Sequence, residues 1–270
     1  MLGFFDSGLG GLTILKEVAK VLPQYSYIYL GDNARAPYGA RSNEVIYNFT
    51  EQGVTALLRR GAKLVVLACN SASAVALQKL QQDFLPTRFP DRKILGIVIP
   101  TAEEVHRFTK TKEVGLVATE ATIDSKVYEE EICKIDPEIK LYSEACPLLV
   151  SVIEAGEAEW EGTDLLVERY LSRLFARSAK IDVLVLGCTH YPIIEKNFKK
   201  FLPRNVTLLT QGKIVAEKLA DYLKRHPEVE KKLEKDGERQ FLTTDGSERL
   251  KRLSQIFYGD EIEVKSVKLG

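Results

Sequence analysis

Two cysteines stand where apolar runs stop. Val65–Ser73 reads VVLACNSAS and Leu184–Pro192 reads LVLGCTHYP. In each, the run ends on a thiol, a polar residue follows, and a helix-length segment comes next. A thiol at a helix start meets unpaired N–H groups and the positive end of the helix dipole. Both favour thiolate, so the pattern predicts that Cys69 and Cys188 fall from the reference pKa of about 8.5 toward neutrality. A thiol in that range works as a general acid or base. His190, two residues past Cys188, is in reach to trade a proton with it, and Asp6, ending the first apolar run, to do so with Cys69. A single strand-end cysteine usually just packs. Two in matched context, beside Asn70 and Thr189, point to chemistry. Cys133, among apolar neighbours in a helical stretch, and Cys146, before Pro147, read as packing residues.

Near the start, FDSGLGGLTIL has the glycines of a strand-to-helix turn. It fails the G-x-G-x-x-G test, because the sixth position from Gly8 is Thr13, and it lacks the lysine of a P-loop. What remains is a turn that bares N–H groups to an anion beside Asp6 and Ser7, suited to a carboxylate as well as a phosphate. Gly8, Gly10 and Gly11 read equally well as plain turn residues. The loop GDNARAPYGARS (31–42) is long and polar, as binding loops are. In it Gly39 would let a backbone approach a ligand, and Tyr38 would offer its hydroxyl.

Around these residues, short apolar runs alternate with amphipathic, helix-length segments. The runs include YSYIYL, KLVVLAC, KILGIVI, EVGLVAT, KLYSEA, VLVLGC, NVTLLT and RQFLTT. Helices are predicted over 43–60, over DSKVYEEEICKI, from about 162 to 179, over 215–225 and over SERLKRLSQIF; HPEVEKKLEKDGER (226–239) reads as a solvated helix face. Such alternation predicts an α/β fold with mainly parallel sheets, whose ligands sit beyond the carboxyl ends of the strands. Asp6, Cys69, Thr119 and Cys188 occupy such ends, with Asp32 in a following loop. The similar contexts of the two cysteines suggest an internal repeat: two pseudo-symmetric lobes that face each other.

The composition narrows the function classes. The 38 basic and 38 acidic side chains balance, so nothing draws the chain to nucleic acid or an anionic membrane. No run reaches the roughly 18 apolar residues of a membrane span. The start lacks the basic region of a signal peptide. The expected location is therefore cytoplasmic, where thiols stay reduced. With three histidines and no CxxC pair, no zinc set of the usual spacing can be drawn.

FDSGLGG, GDNARAPYG, ACNSAS, CPLLVSVIEAG and GCTHYP follow in this order over nearly all 270 residues. The series resembles the motifs of the glutamate racemases, within the aspartate/glutamate racemase family. The resemblance implies an enzyme without pyridoxal phosphate, metal or nucleotide that interconverts L- and D-glutamate and supplies D-glutamate for peptidoglycan. It implies that Cys69 and Cys188 act on opposite faces of the substrate, Cys188 deprotonating the L-isomer and Cys69 the D-isomer. Asp6, Glu154 and His190 match the auxiliary acid/base residues. Asp6, Ser7, Tyr38, Gly39, Asn70, Ser71, Thr189 and His190 match the residues that hold the amino acid, with Thr119 beside them. The implied fold is two α/β lobes with the site between them: residues 1–97 with a returning segment 208–270, and residues 98–207. A homodimer is also implied. Two positions depart from the series. Ser71 stands where threonine is usual, and Ser151 where a second proline is usual.

Two other classes share parts of this pattern. A binding protein for an amino acid or dicarboxylate would use the glycine turn and loops but not two matched thiols. A thiol redox protein would need its cysteines within disulfide reach. Within the family, an aspartate racemase would differ in substrate alone.

Overall fold

The computed structural model describes residues 1–269. Its strands are β1 (Leu2–Asp6), β2 (Tyr27–Gly31), β3 (Leu64–Leu67), β4 (Lys93–Gly96), β5 (Glu113–Ala118), β6 (Lys140–Ala145), β7 (Val183–Gly187), β8 (Thr207–Leu209), β9 (Arg239–Thr243) and β10 (Val264–Ser266). The helices are α1 (Leu12–Val21), α2 (Asn43–Arg59), α3 (Asn70–Lys79), α4 (Leu85–Arg88), α5 (Val98–Phe108), α6 (Glu120–Asp124) and α7 (Val127–Ile135). They continue with α8 (Leu149–Glu154), α9 (Glu161–Phe175), α10 (Glu195–Phe201), α11 (Gln211–Arg225), α12 (Pro227–Glu230) and α13 (Glu248–Tyr258).

The strands form two sheets, one of order β10-β9-β2-β1-β3-β4 and one of order β6-β5-β7-β8. Every pairing is parallel. The second sheet repeats the β2-β1-β3-β4 part of the first, strand for strand. Each half therefore has its own switch point, between β1 and β3 and between β5 and β7, where an α/β sheet opens a crevice. Cys69 follows β3 and Cys188 follows β7, so the thiols occupy equivalent places. Strands β1, β3 and β7 are buried along their whole length, as strands covered on both faces must be. Successive side chains point to opposite faces. Phe4 and Val66 thus join a core that continues into the second lobe through Leu184, Leu186 and Tyr191. Phe5 and Leu67 join the core under α2 and α3.

Several elements differ from the sequence expectation. KILGIVI stops being strand at Gly96, and α5 begins at Val98, with Pro100 in a first turn that needs no N–H from it. In DSKVYEEEICKI the helix α7 starts only at Val127, after Lys126, whose φ is +58°, while Asp124 closes the separate helix α6. Between α3 and α4 the chain widens into a π-turn at Leu80–Phe84; Pro86 follows, and its ring and missing N–H disfavour a normal α-turn there. In 226–239 only Pro227–Glu230 is helical, and Val229 and Leu233 are buried in the core. β10 has no counterpart among the strands expected from the sequence. β8 ends at Leu209, close to the expected start of the returning segment 208–270.

Candidate active site

Cys69 is the N-cap of α3, and its sulfur accepts from the Ala72 N–H at 3.5 Å. The thiol donates to Ser7 Oγ at 3.4 Å. The helix start is as expected, but the expected fall in pKa is not. Burial, helped by the nearby charge of Asp6, pushes the Cys69 thiol up to about 12, against smaller opposing hydrogen bonds from Ser7 and Ala72.

Cys188 lacks an α-helix start altogether. A turn at Thr189–His190 leads into a 3₁₀ turn at Tyr191–Ile194, and α10 begins only at Glu195. The charge beside Cys188 comes from a side chain instead. Its sulfur lies 3.8 Å from His190 Nδ1, and His190 Nε2 lies 2.9 Å from Glu154 Oε1. Burial works against the imidazolium, but the hydrogen bonds and charges of Cys188 and Glu154 outweigh it, and His190 is held well above its ordinary pKa. Glu154 ends α8, and Arg249 from α13 donates to its backbone carbonyl at 2.5 Å.

The glycine turn after β1 brings these groups together. Asp6 is fully buried, and its Oδ2 accepts from the Gly8 N–H at 2.9 Å. Among the described residues its Oδ1 has no hydrogen-bond partner. Burial raises the Asp6 pKa; the charge of His190 and the N–H groups of Gly11 and Gly8 oppose the rise, and Glu154 adds to it. A Cβ on Gly10 would run into the Thr189 hydroxyl and the His190 ring, so only glycine lets the turn of the first lobe meet that of the second. Thr13 ties the same seam, its hydroxyl donating to the Thr189 carbonyl at 2.9 Å.

A third group of the expected residues meets across the lobes. Ser71 Oγ lies 2.9 Å from Thr119 Oγ1, which lies 3.0 Å from Thr122 Oγ1. Gly39 packs on Thr119 so closely that a Cβ there would stand 2.6 Å from the threonine Cβ, and the Gly39 carbonyl accepts from the Ala121 N–H at 3.0 Å. Two expected contacts are spent elsewhere. The Tyr38 hydroxyl donates to buried Asp32 at 2.5 Å, so the loop can offer a ligand its backbone but not that hydroxyl. The Asn70 amide is bound to Gln211 and Tyr128. Cys146 is buried as a packing residue, whereas Cys133 is exposed on α7.

Sequence reasoning missed three contributors. Gln211 sits just past β8, a strand-end position that the same rule would have flagged. Thr122 lies three residues after Thr119, within one turn of α6. Phe257 of α13 stacks edge-on against His190 at 5.3 Å between centroids; no local signal in the last helix points to it.

The model of the Asp/Glu/hydantoin racemase family matches residues 13–219. Among curated proteins, the glutamate racemase of Aquifex aeolicus is 38% identical over 264 residues, covering 98% of this chain and 96% of that protein. Among solved structures, a glutamate racemase of Bacillus anthracis superposes with a TM-score of 0.90 at 33% identity, over 100% of this chain and 97% of that one. That of Francisella tularensis, solved in complex with D-glutamate, gives 0.87 at 34% identity, over 99% and 97%.

Proposed function

The chain belongs to the Asp/Glu/hydantoin racemase family and is an amino-acid racemase, and from that premise we propose that it interconverts L- and D-glutamate by proton transfer between two cysteines. The carrying observation is the pair of thiols at equivalent strand ends of a repeated sheet, Cys188 against His190 and Cys69 within the field of Asp6. The α-proton of an amino acid is a very weak acid, and racemisation must remove it from one face and return one to the other. In the direction from L, Cys188 as thiolate beside the His190 cation takes the proton. Cys69, whose pKa of about 12 keeps it a thiol, gives its proton to the opposite face. In the direction from D the roles exchange, with the unpartnered Asp6 Oδ1 available to receive the Cys69 proton or to hold the substrate ammonium. Glu154 holds His190 in place and charged. Backbone N–H groups of the glycine turn, the Gly39 backbone and the hydroxyls of Ser7, Ser71, Thr119 and Thr189 hold the carboxylates. They also stabilise the charge that develops at the α-carbon. No cofactor enters these steps.

In this reading the product D-glutamate goes to peptidoglycan, and the chain works as a homodimer. Purified protein should carry the optical rotation of L-glutamate to zero. Changing Cys69→Ala or Cys188→Ala should each cost about 10³-fold or more. Turnover of aspartate instead of glutamate would reassign the substrate. Full activity in either variant would overturn the two-thiol mechanism.

A further inference from the structure

Gln211 opens α11 directly after β8 and Thr210, and its side chain forms a reciprocal amide pair with Asn70. Asn70 Nδ2 donates to Gln211 Oε1 at 2.7 Å, and Gln211 Nε2 donates to Asn70 Oδ1 at 3.1 Å. Two groups of the second lobe close on the pair. Tyr128 of α7 donates its hydroxyl to Asn70 Oδ1 at 2.9 Å and lies 2.8 Å from Gln211 Nε2. Thr101 of α5 accepts from Gln211 Nε2 at 3.0 Å. None of the four side chains is more than 2% exposed. A buried polar network satisfied from this many sides fixes one geometry, because any slip leaves an amide unpaired away from water.

No step of the proton transfer uses this cluster. Its link to the chemistry is Asn70, the first residue of α3, whose N-cap is Cys69. We propose that Gln211 is a positioning residue for Cys69: through Asn70 it fixes where α3 begins relative to the second lobe, and so the angle at which the Cys69 thiol meets the α-carbon. The proposal rests on the two-thiol reading above, in which Cys69 serves the D-face. Cys188 is held differently, by the β7 turn, His190 and Glu154. Loss of Gln211 should therefore damage one half of the reaction.

Rates alone hide such asymmetry. Enantiomers have equal free energy in water, so kcat/KM must fall equally in both directions. Isotope effects are under no such constraint. In Gln211→Leu, kcat/KM should fall about 10- to 100-fold, the cost of a small misplacement at the reacting centre. The effect of α-deuteration should rise for D-glutamate, where Cys69 breaks the labelled bond, and shrink for L-glutamate, where the slow step moves to proton delivery. Tyr128→Phe, which keeps the ring and removes one member of the network, should show the same pattern at smaller size if Gln211→Leu does not fold. Alkylation of each thiol by iodoacetamide, followed by peptide mass spectrometry, reads the same hold without turnover. The Cys69 rate should change severalfold and the Cys188 rate should not. Isotope effects that stay as in the wild type from both sides, with an unchanged ratio of alkylation rates, would overturn the proposal. If the wild type racemises no amino acid, the racemase reading fails by itself, and the alkylation ratio alone decides whether Gln211 holds Cys69.

Discussion

A buried thiol with no cation beside it stays protonated and holds its proton tightly; a thiol next to an imidazolium has a charge partner at hand. Cys69 and Cys188 differ in this way, although their sequence contexts look alike. Residue types at strand ends were legible because the α/β rule points to them. The balance between desolvation and charge was not, since it depends on what other segments cover the thiol. Asp6 lies 63 positions before Cys69 and Glu154 lies 34 before Cys188. The His190–Glu154 pair leads to a pH prediction. A histidine whose folded pKa is raised stabilises the fold fully below its unfolded value of about 6.5 and loses that contribution as pH rises through the folded value. Glu154→Gln removes one cause of the rise, while Cys188 still faces the other ring nitrogen. Melting temperatures followed upward from pH 6.5 should fall in the wild type and fall less in Glu154→Gln. Parallel curves would remove Glu154 from the charge on His190.

Secondary structure carries these side chains to the seam, and most of it could be read from apolar runs and helical spacing. Strands β1, β3, β5 and β7 lie where the sequence puts them, and with them the four strand-end residues. Two of the departures lie where the backbone itself leaves regular helix. Pro86 follows a widened turn, and Lys126, just before α7, takes a left-handed conformation that a side chain disfavours by about 1–2 kcal/mol. Lys126 is exposed, so Lys126→Gly should raise stability by about 0.5–1 kcal/mol in urea unfolding, after the entropic cost of glycine, and leave racemisation unchanged. A loss of stability would mean that the lysine side chain contributes a contact that outweighs the strain.

At the scale of the molecule, two half-sites from a repeated sheet are pressed together. Both thiols are nearly closed off, Cys69 at 5% exposure and Cys188 at 6%, and Gly10 and Gly39 let the lobes touch on either side. In the proposed reaction, substrate reaches the thiols through this seam. Iodoacetamide should therefore modify exposed Cys133 first and Cys69 and Cys188 slowly, with glutamate slowing those two further, and should leave buried Cys146 until unfolding. Modification of all four at one rate would mean that the closed arrangement is not the resting one. The shared core and equivalent thiols make a reaction with one base on each face the central claim. Its most direct test is the first turnover in D2O, starting from each enantiomer of protiated glutamate and followed by proton NMR with separation of the isomers. Two bases predict that the α-position of the product carries deuterium from the outset while the remaining substrate stays protiated. Deuterium entering substrate and product at the same rate, or product that keeps the substrate's own proton, would contradict it.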